Sequence, residues 1–154
     1  VIRNEIPSVN NFCYLDTDIL INPMAPNVFD DYNPKTIGLV SLQKNLPYPR
    51  ENILRRIAFF RNKYYDENYP LDSALFISLK DIYEYHQLQD QNDLANAGMF
   101  VFNIDNHAEW MKSVFYKYSK DISSITNNGD QTHFNYEVLT NSKVSWLDYR
   151  FNAI

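Results

Sequence analysis

The sequence predicts a single α/β domain, with a mixed sheet flanked by helices. Three observations carry this. Short apolar runs of strand length alternate with longer stretches at helical spacing, the pattern of layered α/β domains. The chain has 154 residues, the size of one domain with its own core. Hydrophobic residues make up 45% and charged residues 21%, which excludes a disordered chain.

Phe12-Cys13-Tyr14-Leu15 is a short apolar run closed by Asp16 and reads as a buried strand. Ile19-Leu20-Ile21 follows as a second aliphatic stretch, broken by Asn22-Pro23. Thr36 to Leu42 is the next strand. A helix starts at Pro47 to Arg50, and Ile53, Leu54, Ile57, Ala58, Phe60 and Arg61 continue it. Ala74 to Leu79 reads as extended, and Asp81 to Gln89 admits a helix. Met99 to Ile104 is a strand. Asn106 to Lys120 is a helix with Trp110, Val114, Phe115 and Tyr118 on one face. Asp130 caps another helix running to Leu139, and Val144 to Leu147 is the last strand. All seven prolines lie in the first 70 residues, so the first half is expected to be the loop-rich one.

Composition excludes several classes. A net charge of −5 and a pI near 5.1 argue against a nucleic-acid binder held by a basic surface. No apolar run approaches the ~18 residues of a membrane span, and no basic region followed by an apolar stretch marks a secretory signal. Cys13 is the one cysteine, so an internal disulfide is excluded and a reducing, cytoplasmic compartment is expected. Only 3 of the residues are glycine, and neither a GxGxxG nor a GxxxxGK[ST] loop is present. A nucleotide or phosphate must therefore be held in another way.

Three constellations could carry chemistry. In Asp16-Thr17-Asp18, two carboxylates sit between apolar runs and would share a face if the segment were one regular strand. Two buried anions side by side are costly unless a cation neutralises them, and an oxygen-preferring Mn²⁺ or Mg²⁺ is the usual solution. The alternative is a surface turn at a strand end. Asn96-Ala97-Gly98 precedes the strand at Met99. Glycine there permits close approach to the backbone, and the Asn amide suits sugar hydroxyls. An ordinary turn is the plain account. Asn128-Gly129-Asp130-Gln131 delivers a carboxylate and an amide to a helix start, as a helix cap or as the rim of a pocket.

The remaining reactive residues read as structural. His86, His107 and His133 lack metal-site spacing, and His107 and His133 are expected at the surface near helix starts. Cys13 reads as a small buried hydrophobe. The 12 Tyr and 10 Phe are expected mostly in the core, with some lining a sugar pocket. Arg50, Arg55, Arg56, Arg61 and Lys63 form a solvated basic face, with peripheral membrane contact as the lesser alternative.

Taken in order, these motifs resemble the glycosyltransferases of the GT-A fold, most closely the family 8 type. The resemblance rests on Tyr14-Leu15-Asp16-Thr17-Asp18 with its aliphatic continuation Ile19-Leu20-Ile21, and on Asn96-Ala97-Gly98 leading into Met99-Phe100-Val101-Phe102-Asn103. It extends to Asp130-Gln131 with Asn135 four residues on, and to Leu147-Asp148-Tyr149-Arg150-Phe151-Asn152. It implies that Asp16, Thr17 and Asp18 contact the ribose and diphosphate of a nucleotide sugar, UDP-sugar foremost. Asp16 and Asp18 would hold Mn²⁺ or Mg²⁺. Asn96, Ala97 and Gly98 would line the donor sugar. Asp130 and Gln131 would sit beside the anomeric carbon, as catalytic residues, and the acceptor would be a carbohydrate or glycoconjugate.

The family has a nucleotide-binding strand–helix unit before the D-x-D and a late histidine as a third metal ligand. Here about ten residues precede the strand that leads into the motif and no histidine follows His133. The chain, 1–154, therefore reads as the central part of a transferase domain, with little or no activity alone and a homo-oligomer, dimer or higher, with the N-terminal side of the sheet in the contact. Two other readings compete. A haloacid dehalogenase-type phosphatase would use Asp16 as nucleophile and Asp18 as acid. A non-catalytic sugar-binding remnant would bind without transfer. In the transferase reading, Phe12 to Leu15 and Met99 to Phe102 are neighbouring central strands, with Asp16, Asp18 and Asn96 to Gly98 at one edge of the sheet.

Overall fold

The structure, a computed structural model, describes residues 5–6, 8–44, 47, 49, 80, 83–84, 86–118, 131–141 and 143–152. The helix expected from Pro47 to Arg61, the extended stretch from Ala74 to Leu79, the basic face and Asp130 lie outside the described residues, apart from Pro47 and Pro49 themselves.

Four strands form one open mixed sheet: β1 (Asn11–Leu15), β2 (Ile37–Ser41), β3 (Ala95–Asn103) and β4 (Val144–Trp146), in the order β1-β3-β2-β4. β3 runs antiparallel to both β1 and β2, and β2 pairs parallel with β4. Two helices, α1 (Ile104–Tyr118) and α2 (Gln131–Asn141), and a 3-10 turn at Tyr149–Phe151 complete the described elements. The α/β class and the mixed sheet agree with the expectation from sequence. β1 and the Met99–Phe102 stretch are neighbours as expected, with Phe12 opposite Phe102 and Leu15 opposite Met99. Among the described residues, however, β1 is an edge strand rather than a central one. Its apolar residues earn their burial from β3 and one covered face, and most are only half-buried.

Strand alternation sorts the core onto the two sheet faces. Ile37, Leu39 and Phe100 face α1 and α2, meeting Trp110, Met111, Phe134 and Val138. Val40, Met99 and Val101 face the other way, under Val28, Phe29, Tyr32, Tyr149 and Phe151. Both described helices thus lie on one face, and a long loop with the 3-10 turn covers the other. Tyr32 closes that second layer by donating to the Thr36 carbonyl at 2.7 Å, and burial pushes its phenol up to about 12.

α1 begins at Ile104, earlier than Asn106, because Asn103 caps it. The Asn103 Oδ1 accepts from the Asn106 N–H at 3.1 Å, and the His107 Nδ1 lies 3.0 Å from the Asn103 carbonyl and 3.2 Å from the Asn103 nitrogen. Its inward face is His107, Trp110, Met111, Val114 and Tyr118, whereas Phe115 is exposed. His107 and His133 are both buried, contrary to the surface placement expected from their positions near helix starts. Burial holds the His107 imidazole below its ordinary value, a contact with Asn103 partly offsetting it.

Within 81–89, Tyr83 and Glu84 are helical, and the helix is stopped by a backbone motif. The Leu88 N–H donates to the Tyr83 carbonyl and the Gln87 N–H to the Glu84 carbonyl. Gln87 takes φ +56, the left-handed conformation usually given to glycine at this position.

Candidate functional site

The D-x-D segment is a turn at the end of the edge strand. The Asp16 N–H still donates to the Gly98 carbonyl at 2.8 Å, as the last bond of the β1–β3 ladder. The Ile19 N–H then returns to the Asp16 carbonyl at 3.2 Å, with Thr17 and Asp18 at the corner. Asp16, Thr17 and Asp18 are all exposed, so the expectation of two buried anions needing a cation is not met. The aliphatic strand expected at Ile19 to Ile21 is also absent. The turn carries the chain off the sheet, Ile19 packs on the Val40 cluster, and Leu20 and Ile21 are 94% and 70% exposed.

Asn96-Ala97-Gly98 lies inside β3, not before it, and makes a bulge. Leu39 stands opposite Phe100, but the next residue, Val40, stands opposite Asn96. Ala97, Gly98 and Met99 are therefore out of register with β2, while Met99 and Gly98 keep their pairing with β1. Bulges of this kind re-aim side chains and often flank binding sites. The Asn96 Oδ1 secures the bulge by accepting from the Gly98 N–H at 3.1 Å.

The two motifs meet here. A Cβ built on Gly98 would lie 3.1 Å from the Asp16 Oδ2 and 3.3 Å from the Asn96 Oδ1. Tyr14 adds a contact that sequence reasoning passed over: its ring stacks on Phe100 at 4.7 Å, and its hydroxyl donates to the Asp16 Oδ1 at 2.8 Å. The i, i+2 spacing on a strand is the signal that could have found it. Asn152, from the closing motif, reaches the same bulge by donating from Nδ2 to the Asn96 carbonyl at 3.4 Å.

α2 is tied to the same place. The Asn135 side chain, fully buried, accepts from the Ala95 N–H at 2.6 Å and donates to the Ala95 carbonyl at 2.9 Å. Ala95 is the residue before Asn96. Gln131 opens α2, one turn before Asn135. Beyond Ala95, the buried Asp93 binds the ends of β2 and β3 together. It accepts from the Ser41 hydroxyl at 2.9 Å and lies 2.8 Å from the Lys44 ammonium, which also sits over the Trp146 ring.

Among the described residues, no group of three or more His, Cys, Asp or Glu side chains is placed to hold a metal ion. The donor set at Asp16 and Asp18 is oxygen alone, which fits Mg²⁺ or Mn²⁺ sites completed by water and substrate phosphates, and not a dedicated protein cage. Among the described residues, no helix is long and apolar enough to cross a membrane. No protein-family model, curated protein or solved structure matches the chain.

Proposed function

We propose that this chain carries the donor site of a GT-A fold glycosyltransferase of the family 8 type. It takes a nucleotide-diphosphate sugar, UDP-sugar foremost, whose sugar passes to a carbohydrate or glycoconjugate acceptor. The observation that supports the reading is the meeting of Asp16 with Asn96 and Gly98 around one glycine-sized gap. Motifs far apart in sequence converge on a spot with the exposed Asp16 carboxylate and the Asn96 amide.

In this reading Asp16 and Asp18 hold Mn²⁺ or Mg²⁺, which when bound neutralises the departing diphosphate as a Lewis acid. Gly98 lets the Asp16 carboxylate and the Asn96 amide close in over its backbone, where a Cβ would meet both. The Asn96 Oδ1 is engaged by the Gly98 N–H, so its Nδ2 is the group offered to a sugar hydroxyl. Tyr14 fixes one oxygen of Asp16 and leaves the other facing the gap. Asp130, and Gln131 at the start of α2, are assigned to the anomeric centre by resemblance. A thermal-shift screen of UDP-, GDP- and TDP-sugars, each with and without Mn²⁺, tests the proposal. Stabilisation by one of them that needs Mn²⁺ is expected; a melting point unmoved by every combination would refute it.

A further inference from the structure

α2 is held against the rest of the fold by a buried polar seam that the donor site does not use. His133, on α2, is 4% exposed and meets the ring of His86, 6% exposed, edge to face at 5.2 Å. The Tyr118 ring of α1 covers His133 at 4.6 Å. One turn further along α2, the buried Glu137 accepts from the Lys117 ammonium at 2.6 Å, the Tyr118 hydroxyl at 2.5 Å and the Asn141 amide at 3.1 Å. The His133 Nδ1 is buried and has no hydrogen-bond partner among the described residues.

Neutral, the His133 ring fills this space as an aromatic. A proton would put a cation where the nearby carboxylate is already engaged by Lys117 and where a second imidazole faces it. Burial, His86 and Lys117 all push the His133 imidazole below its ordinary value, and Glu137 offsets them only in part. Among the described residues, the titratable and charged groups facing it are His86 from the 83–88 segment, Lys117 and Tyr118 from α1, and Glu137 from α2 itself.

We propose that the His86–His133 contact is an acid-sensitive latch on α2: it holds the helix to the 83–88 segment while neutral and releases the first turns of the helix when His133 gains a proton. The sign follows from linkage. A histidine depressed in the folded state binds fewer protons there than when unfolded, so stability is complete above the ordinary value of about 6.5 and falls as pH drops through it. Because Asn135 clamps Ala95 from the same helix, release would reach the Asn96–Gly98 bulge. The latch stands whether or not that bulge binds a nucleotide sugar.

Hydrogen exchange of the full chain at pH 7.5 and 5.5, corrected for intrinsic rates, tests it. Protection of the α2 amides should fall relative to β3 by ~10-fold, the equivalent of one pKa unit. In His133→Phe, which keeps an aromatic ring but cannot titrate, the ratio should not change with pH. An unchanged ratio in the wild type, or the same loss in His133→Phe, overturns the latch. If His133→Phe does not fold, NMR titration of the wild-type His133 ring decides: a midpoint below about 6.5 supports the latch and one at or above it refutes it.

Discussion

Replacing Gly98 with alanine separates the site from the fold, and Gly38→Ala is its control. A Cβ at Gly98 would meet the Asp16 Oδ2 at 3.1 Å and the Asn96 Oδ1 at 3.3 Å, so these neighbours must yield by a few tenths of an ångström. Asp16 is exposed and can swing outward. The cost is small and is set against the ~0.4–1 kcal/mol that alanine contributes by restricting the unfolded chain. Gly98→Ala should therefore change stability by less than about 1 kcal/mol. At Gly38 the added Cβ meets Leu147 at 3.2 and 3.3 Å and the fully buried Val101 Cβ at 3.3 Å, inside the core between strands. Overpacking there costs about 1–3 kcal/mol, or roughly 2–12 °C in Tm for a chain of this size. Binding should rank the two variants the other way. If Asp16 holds the metal as proposed, displacing its carboxylate removes a ligand, so UDP affinity with Mn²⁺ should fall ~10-fold in Gly98→Ala. Gly38→Ala should bind as the wild type does below its melting point. Thermal unfolding by circular dichroism and calorimetric titration give both numbers. If Gly98→Ala melts as early as Gly38→Ala, or binds like the wild type, Gly98 is a packing glycine and the reasoning fails.

Three further outcomes follow from single contacts. Asn135→Ala leaves the buried N–H and carbonyl of Ala95 without their side-chain partner and should cost about 2–4 kcal/mol by urea unfolding. Tyr14→Phe keeps the ring on Phe100 but frees Asp16; stability should hold within about 0.5 kcal/mol while Mn²⁺ affinity with UDP drops ~10-fold, measured by titration calorimetry. Gln87→Gly removes a side chain from the left-handed backbone and should raise stability by about 1 kcal/mol in the same unfolding assay.

What the sequence made legible follows the strength of its periodic patterns. β3 and α1 announce themselves by an apolar run and a repeating apolar face, and both form, β3 starting at Ala95 rather than Met99 and α1 at Ile104 rather than Asn106. Ile19 to Ile21 carries the same apolar signature, yet its exposure is decided by the turn at Asp16, which takes the chain away from the sheet. That is a tertiary outcome, and no local pattern contains it. α2 is expected as a helix running to Leu139 and forms at Gln131–Asn141, but its inward face was not legible. It buries Thr132, His133, Asn135 and Glu137 beside Val138, so polar residues occupy the inward positions and the amphipathic signal is weak. The placement of Asp16 beside Asn96 and Gly98 was readable because two apolar strands flanked by polar motifs pair in only a few ways. The bulge that joins them was not, since it depends on a register shift against β2.

The central claim is that the turn at Asp16 and the bulge at Asn96 to Gly98 form one donor site. Calorimetric titration of UDP into the wild type and into Asp18→Asn, each with and without Mn²⁺, tests it most directly. Asp18 is exposed at the corner of the turn, so the substitution should leave the fold intact. Saturable UDP binding that needs Mn²⁺ is expected in the wild type and should be lost in Asp18→Asn. UDP binding that ignores both the metal and the substitution, or no binding by the wild type, would contradict it.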